Sequence, residues 1–166
     1  MSRPFHLLKE QIIMIQRIQT VYLLIITILT VLMLFFSLAT IQAGGVFYTF
    51  DATGVSTVAT QPELIYPTWG LFALTTIIAL LALITIFLYK KRVLQIRFCV
   101  FNAILLVGFY GVFAFFAWTL KGQMGMDQFL VKFPLVFPLV CLILDYLAIR
   151  NIGADEALVR SLERLR

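Results

Sequence analysis

The chain has 166 residues, of which 62% are hydrophobic and only 13% are charged. Soluble globular domains carry about 25% charged residues, so this composition excludes a soluble domain and predicts one membrane domain over residues 1–166. The mean hydropathy of +1.02 agrees with that class. The net charge of +5 does not predict nucleic-acid binding, because no patch of Lys and Arg with interleaved aromatic residues lies on a soluble face.

Four apolar segments are candidates for membrane-spanning helices, which need about 20 apolar residues to cross a bilayer. Three of them contain no charge, and they cover residues 21–43, 69–89 and 98–120. The fourth, 133–149, is shorter and contains two prolines and Asp145. We expect Pro138 to bend its first turn, and a start near Phe129 would restore full length. The segments predict an all-α, four-helix transmembrane bundle.

Lys and Arg are distributed unevenly among the segments that flank these spans. Three precede the first span, four lie between the second and third, four follow the fourth, and two lie between the third and fourth. Because cytoplasmic flanks retain positive charge, this predicts a multi-pass protein of the bacterial inner membrane with both termini in the cytoplasm. The first apolar run is longer than the core of a signal peptide, about 7–15 residues, so we expect it to be retained.

The two outer loops differ in their patterns. In the first, residues 46–50 and 55–58 are rich in β-branched and aromatic residues, which predicts a short extracytoplasmic β-hairpin with a positive φ at Gly54. The second, 121–132, has the glycines and mixed charges of a flexible connector, and Met124 and Met126 are expected to cover the end of the bundle rather than bind metal.

The cytoplasmic segments at the two ends are both amphipathic. In the tail 150–166, residues 154–166 place four apolar residues on one helical stripe, namely Leu158, Val159, Leu162 and Leu165. This pattern predicts an amphipathic C-terminal helix at the membrane surface or against the bundle. Residues 4–20 either form a similar surface helix or continue directly into the first span.

The sequence contains no grouping typical of catalysis, of metal binding or of cofactor binding. It has a single histidine, His6, and no paired carboxylates within the spans. We therefore expect no enzyme, no cofactor and no metal. The threonines of the spans, Thr27, Thr30, Thr75, Thr76 and Thr85, are expected to bond their own helix or a neighbouring one.

Asp145 is the one acidic residue within a predicted span, and such a residue is by default a candidate functional group. Two interpretations remain open. Asp145 either pairs with Arg92, Arg97 or Arg150 as a structural anchor near the interface, or carries a proton or ion, with Asn102 as a further polar group.

Three stretches carry a resemblance to a known family. They are MIQRIQTVYL at 14–23, KKRVLQIRFC at 90–99 and DEALVRSLERLR at 155–166. Together they resemble a family of short four-helix inner-membrane proteins of Bacteroidetes-type bacteria, catalogued as a domain of unknown function. The resemblance implies the same membrane topology, and it implies that residues 1–13 are an extension or reflect an upstream start. It implies no activity, cofactor or catalytic residue.

Polar and charged residues of separate segments are expected to meet at the cytoplasmic face of the bundle. This candidate network comprises Gln16, Arg17, Gln19, Gln95, Arg97, Asp145, Arg150, Asp155, Glu156, Arg160 and Arg164. It favours binding of anionic lipid headgroups or docking of a protein. The expected partners are membrane lipids and a protein partner or second copy of the chain. The expected function is an accessory or scaffold subunit of a membrane assembly; the alternative is a small oligomeric transporter or channel that uses Asp145.

Overall fold

The structure is a computed structural model, and it describes residues 3–164. Its elements in chain order are α1 (Arg3–Phe35), β1 (Ala39–Ala43), β2 (Val46–Phe50), β3 (Gly54–Thr57), β4 (Leu64–Pro67), α2 (Trp69–Phe87), α3 (Arg92–Met124), β5 (Gln128–Val131), a 3-10 turn (Phe133–Val136) and α4 (Phe137–Arg164).

Four of these helical segments are long and apolar enough to cross a membrane. Each helix packs against two others, because α1 and α3 both contact α2 and α4. The buried core follows one stripe of each helix, as in Leu23 and Ile26 of α1 and Leu106 and Phe109 of α3. The remaining faces expose large apolar side chains, which is the arrangement of a bundle with an apolar exterior.

Helix bounds correct the sequence prediction in two places. Of the two alternatives left open for residues 4–20, the structure has the continuous helix, α1, whereas the end of the predicted first span, at 39–43, is strand β1. The predicted tail helix is also not separate, since α4 runs without a break to Arg164. Residues 165–166 of the predicted tail lie outside the described residues.

The start of α4 differs from the expected one. Residues 128–131 form β5, so a helix start near Phe129 is wrong. Because α4 begins at Phe137, Pro138 lies in the first turn, where its missing N–H breaks no helical bond. The predicted flexible connector 121–132 is thus partly a strand, although Met124 and Met126 do pack against the core as expected.

The extracytoplasmic hairpin predicted from the sequence is part of a larger antiparallel sheet of five strands, in the order β4-β3-β2-β1-β5. The tight turn lies between β1 and β2, where Gly44 and Gly45 have φ of 56° and 80°. Positive φ at both central residues is what a two-residue hairpin turn needs. Gly54 has no positive φ; it is required because a Cβ there would lie 2.8 Å from the Tyr66 carbonyl oxygen.

Aromatic side chains join this sheet to the bundle. Phe50 of β2 is fully buried and stacks on Phe113 of α3, with ring centroids 5.0 Å apart. Phe129 of β5 lies 6.2 Å from the same Phe113 ring, and Tyr66 of β4 meets Phe116 edge-on at 6.2 Å. The sheet is therefore packed on the bundle end and shares its core.

Span threonines bond within their own helices. Thr30 donates to the Ile26 carbonyl oxygen at 2.8 Å and Thr75 to that of Leu71 at 2.8 Å. Thr27, Thr76 and Thr85 make the same bond four residues back. The expectation that these hydroxyls form hydrogen bonds with the backbone of their own helices is confirmed.

Candidate functional site

The end of the bundle opposite the sheet carries most of the positive charge, and we call it the basic end. It is formed by the α2–α3 turn with neighbouring parts of α1, α3 and α4. Its described basic residues are Arg17, Lys90, Lys91, Arg92, Arg97, Arg150, Arg160 and Arg164. The candidate network of the sequence analysis belongs mainly to this end.

One buried ion pair holds α3 to α4 at the basic end. Arg92 lies 3.3 Å from the carboxylate of Asp155, which is fully buried, while the arginine side chain is 21% exposed. The contact is ionic, since neither Asp155 carboxylate oxygen has a well-formed hydrogen bond within the described residues. A second pair, Arg160 with Glu156 at 2.7 Å, joins neighbouring turns of α4 and is largely exposed on its arginine side. The first pair ties two helices together, whereas the second stabilises one helix locally.

Asp145 does not belong to this ionic network, so its predicted pairing with an arginine is wrong. It is 0% exposed, and neither carboxylate oxygen has a well-formed hydrogen bond within the described part of the chain. Asp145 lies ten residues nearer the sheet than Asp155, and the arginines closest to its level, Arg97 and Arg150, are about five residues nearer the basic end and are exposed, so their side chains are on the outside of the bundle rather than beside the buried carboxylate. Its polar neighbours include the thiols of Cys99 and Cys141, which are weak donors.

Asn102 shares this depth. Arg92 of α3 and Asp155 of α4 lie side by side at the basic end. Asn102 lies ten residues after Arg92 and Asp145 lies ten residues before Asp155, so both are about equally far from this pair toward the sheet. Asn102 is 1% exposed, and within residues 3–164 neither its amide oxygen nor its amide nitrogen has a partner. Two unsatisfied polar side chains therefore lie at about the same level of the bundle core.

A second polar layer lies closer to the basic end. Gln95 is buried and its amide nitrogen donates to the Thr85 carbonyl oxygen at 3.3 Å, linking α3 to the end of α2. Gln19 of α1 is 4% exposed, and its amide nitrogen has no partner in the described chain.

Two of the clefts at the basic end are bordered by Tyr89. The first, of about 490 Å³, lies between the α2–α3 turn and α4 and is lined by Arg92, Arg160, Glu156 and Glu163, among others. The second, of about 470 Å³, lies between α1 and the α2–α3 turn and is lined by Arg17, Gln19 and Gln95, among others. We call the second the α1 cleft.

The predicted network is therefore divided by the structure. Arg17 and Gln95 line the α1 cleft, and Glu156 and Arg160 line the other cleft. Asp155 is buried against Arg92, and Asp145 lies deeper. Arg97, Arg150 and Arg164 are exposed at the basic end, and the side chain of Gln16 lies outside the described residues. Among the described residues no group of three His, Cys, Asp or Glu side chains suits a metal ion.

The structure defines the class of this protein, which has four long apolar helices and a small antiparallel sheet. Residues 15–165 match the model of a domain of unknown function, DUF4293. The chain belongs to this family. The comparison with curated proteins finds no match.

Proposed function

We propose that the chain is a multi-pass protein of the bacterial cytoplasmic membrane, with both termini in the cytoplasm, and that it acts as a non-enzymatic accessory subunit of a membrane assembly. Membrane insertion is supported by the four long apolar helices and by the large apolar side chains on their outer faces. The orientation is supported by the concentration of Lys and Arg at the basic end.

The observation that carries the subunit role is the open edge of β5. This strand is hydrogen-bonded to β1 on one side and is the last strand of the sheet. Its sequence, QFLV, contains no charge, and Leu130 and Val131 are each 57% exposed. An uncharged, apolar edge strand offers free backbone groups for pairing with a strand of another chain.

The position of this edge also supports docking. β5 is anchored at both ends, since the Asp127 N–H donates to the Gln42 carbonyl oxygen at 2.9 Å and the Lys132 N–H to that of Leu38 at 2.9 Å. An edge that is already ordered loses little conformational entropy when a partner binds, which favours affinity.

The test is extraction of the tagged protein from native membranes in mild detergent, followed by native mass spectrometry of the intact particle. We expect a stoichiometric protein partner with the wild type and its loss with Leu130→Lys. Val58→Lys, a charge added at an exposed position outside the strands, is the control and should retain the partner. A wild type without any stoichiometric partner would contradict the subunit role, and a partner retained by Leu130→Lys would contradict docking at β5.

A second candidate function, a small oligomeric transporter, is favoured by the unsatisfied Asp145 and Asn102 in the bundle core. An uncompensated carboxyl group at that depth is costly and is typical of proton or ion pathways. In proteoliposomes, Asp145→Asn should abolish proton or cation flux that the wild type supports. Equal flux with Asp145→Asn, or no flux with the wild type, would contradict this candidate.

A further inference from the structure

The α1 cleft has the chemistry of a site for an amphiphilic anion. Its walls combine the guanidinium of Arg17 and the amides of Gln19 and Gln95 with the apolar side chains of Ile13 and Val21 and the ring of Tyr89. Polar groups and apolar groups thus line one space of about 470 Å³.

Charge separates this cleft from its neighbour. No carboxylate is among the residues that line the α1 cleft in the described chain, so the Arg17 charge has no local counter-ion there. The neighbouring cleft has three cations, Lys90, Arg92 and Arg160, and two carboxylates, Glu156 and Glu163; Arg160 is bound to Glu156 at 2.7 Å and Arg92 to Asp155 at 3.3 Å. In the α1 cleft, by contrast, no lining carboxylate of the described chain competes with a bound anion for the cation.

A buried donor without a partner points to the same ligand class. The amide nitrogen of Gln19 has no acceptor in the described chain, and the residue is 4% exposed. The other buried amide of the cleft, Gln95, already donates to Thr85. A buried donor that stays unpaired costs stability, and an acceptor-only group such as a phosphate oxygen would satisfy it.

The position of the α1 cleft favours a phospholipid, rather than free phosphate, as its ligand. The cleft lies where the basic end meets the apolar spans, and Ile13 and Val21 continue its wall as exposed apolar side chains. We propose that the α1 cleft binds an anionic phospholipid, with Arg17 and the amide nitrogen of Gln19 contacting the headgroup phosphate and Val21, one turn further into the span, contacting the acyl chains. This inference rests on the membrane location proposed above.

The first experiment is native mass spectrometry of the full chain, delipidated in detergent and titrated with phosphatidylglycerol or phosphatidylcholine. We expect preferential retention of phosphatidylglycerol by the wild type. Arg17→Gln should weaken this retention about tenfold, the effect of losing one charge-assisted hydrogen bond. Arg160→Gln, which removes an equal charge from the neighbouring cleft, is the matched control and should bind as the wild type does.

The second experiment uses Gln19→Leu, which removes the unpaired donor and keeps most of the side-chain volume. Phosphatidylglycerol should raise the Tm of the wild type, whereas the variant should start with an equal or higher Tm and gain little from the lipid. Because Arg17 is exposed, we expect Arg17→Gln to fold, so it tests the proposal even if Gln19→Leu does not fold.

Several results would overturn the proposal. One is equal retention of phosphatidylglycerol by Arg17→Gln and Arg160→Gln, and another is equal retention of phosphatidylglycerol and phosphatidylcholine by the wild type. The third is a gain in Tm from phosphatidylglycerol that is as large for Gln19→Leu as for the wild type. The same Tm gain from inorganic phosphate alone would identify free phosphate instead of lipid. Membrane fractionation tests the location independently, so a failure of lipid binding is distinguishable from a failure of the proposed function.

Discussion

Two aspartates of α4 illustrate how depth decides the role of an acidic residue. Asp155 and Asp145 are both fully buried, but among the described residues only Asp155 has a basic partner, Arg92 at 3.3 Å. A buried carboxylate with a partner holds two helices in register, whereas one without a partner is a cost that the fold has to offset. The first is therefore a structural residue and the second a candidate for ion chemistry.

We predict that Arg92→Gln lowers the free energy of unfolding in detergent micelles by about 3 kcal/mol, because it leaves the buried Asp155 carboxylate without its partner. Chemical or thermal unfolding followed by circular dichroism measures the change. Arg160→Gln removes an arginine from an exposed pair and should cost at most about 0.5 kcal/mol. Equal losses from the two variants would mean that the Arg92–Asp155 pair does not join the helices.

Asp51, in the turn between β2 and β3, should make the stability of the sheet depend on pH. Burial raises the pKa of its carboxyl group above the ordinary 3.8, and the Lys132 ammonium lowers it in part. Between 3.8 and the raised pKa the folded state binds more protons than the unfolded state, so stability falls as the pH rises through that range. One of its carboxyl oxygens, Oδ1, also lacks a hydrogen-bond partner in the described chain.

Asp51→Asn should remove this part of the pH dependence and raise the Tm at neutral pH, since the amide carries no charge to desolvate. The measurement is the Tm of both proteins from acidic to neutral pH. Glu63→Gln removes an exposed carboxyl group at the other end of the β3–β4 pair and controls for the change in net charge. A pH profile of Asp51→Asn that coincides with the wild-type profile would contradict the assignment.

At the scale of elements, the sheet depends on close approach between strands. At Gly54 a Cβ would lie 2.4 Å from Leu64 Cδ1 and 2.8 Å from the Tyr66 carbonyl oxygen. The side chain of Leu64 can rotate away, but the carbonyl belongs to the backbone of β4 and can move only with the strand. The absence of a side chain, rather than a positive φ, is what this position requires.

Gly54→Ala should destabilise the β3–β4 pairing by about 1–3 kcal/mol through overpacking. We expect faster proteolytic cleavage in the connection at 58–63 and a lower Tm. Gly122→Ala, within α3 and with no atom near the new Cβ, should be neutral or stabilise by up to about 1 kcal/mol. A Gly54→Ala protein as resistant as the wild type would show that β4 adjusts without cost.

For the whole molecule, the proposed orientation places the sheet outside the cytoplasm and the basic end inside. The native cysteines, Cys99 and Cys141, are buried, so the wild type serves as an unlabelled background. In intact spheroplasts a membrane-impermeant maleimide should label Val58→Cys, whereas Ser161→Cys should react only after lysis. Labelling of Ser161→Cys in intact spheroplasts would reverse or abolish the proposed topology.

Part of this architecture follows from the sequence because its signals are local. Four apolar runs and the uneven distribution of Lys and Arg are visible without any tertiary contact, since a helix satisfies its own backbone and charge acts on the flanks of each span. The threonines bond their own helices for the same reason. These features account for the four helices that the structure contains and for the orientation proposed here.

Other parts were decided by tertiary structure, because they depend on residues far apart in the chain. Strand β1 lies in an apolar segment that the sequence predicts to be the end of the first span. It forms a strand because it pairs with both β2 and β5. The partner of Arg92 is Asp155 and not Asp145, which only the packing of α3 on α4 determines. The α1 cleft likewise exists because helix packing brings Gln19 and Gln95 together, and periodicity within one helix contains no information about such a distance.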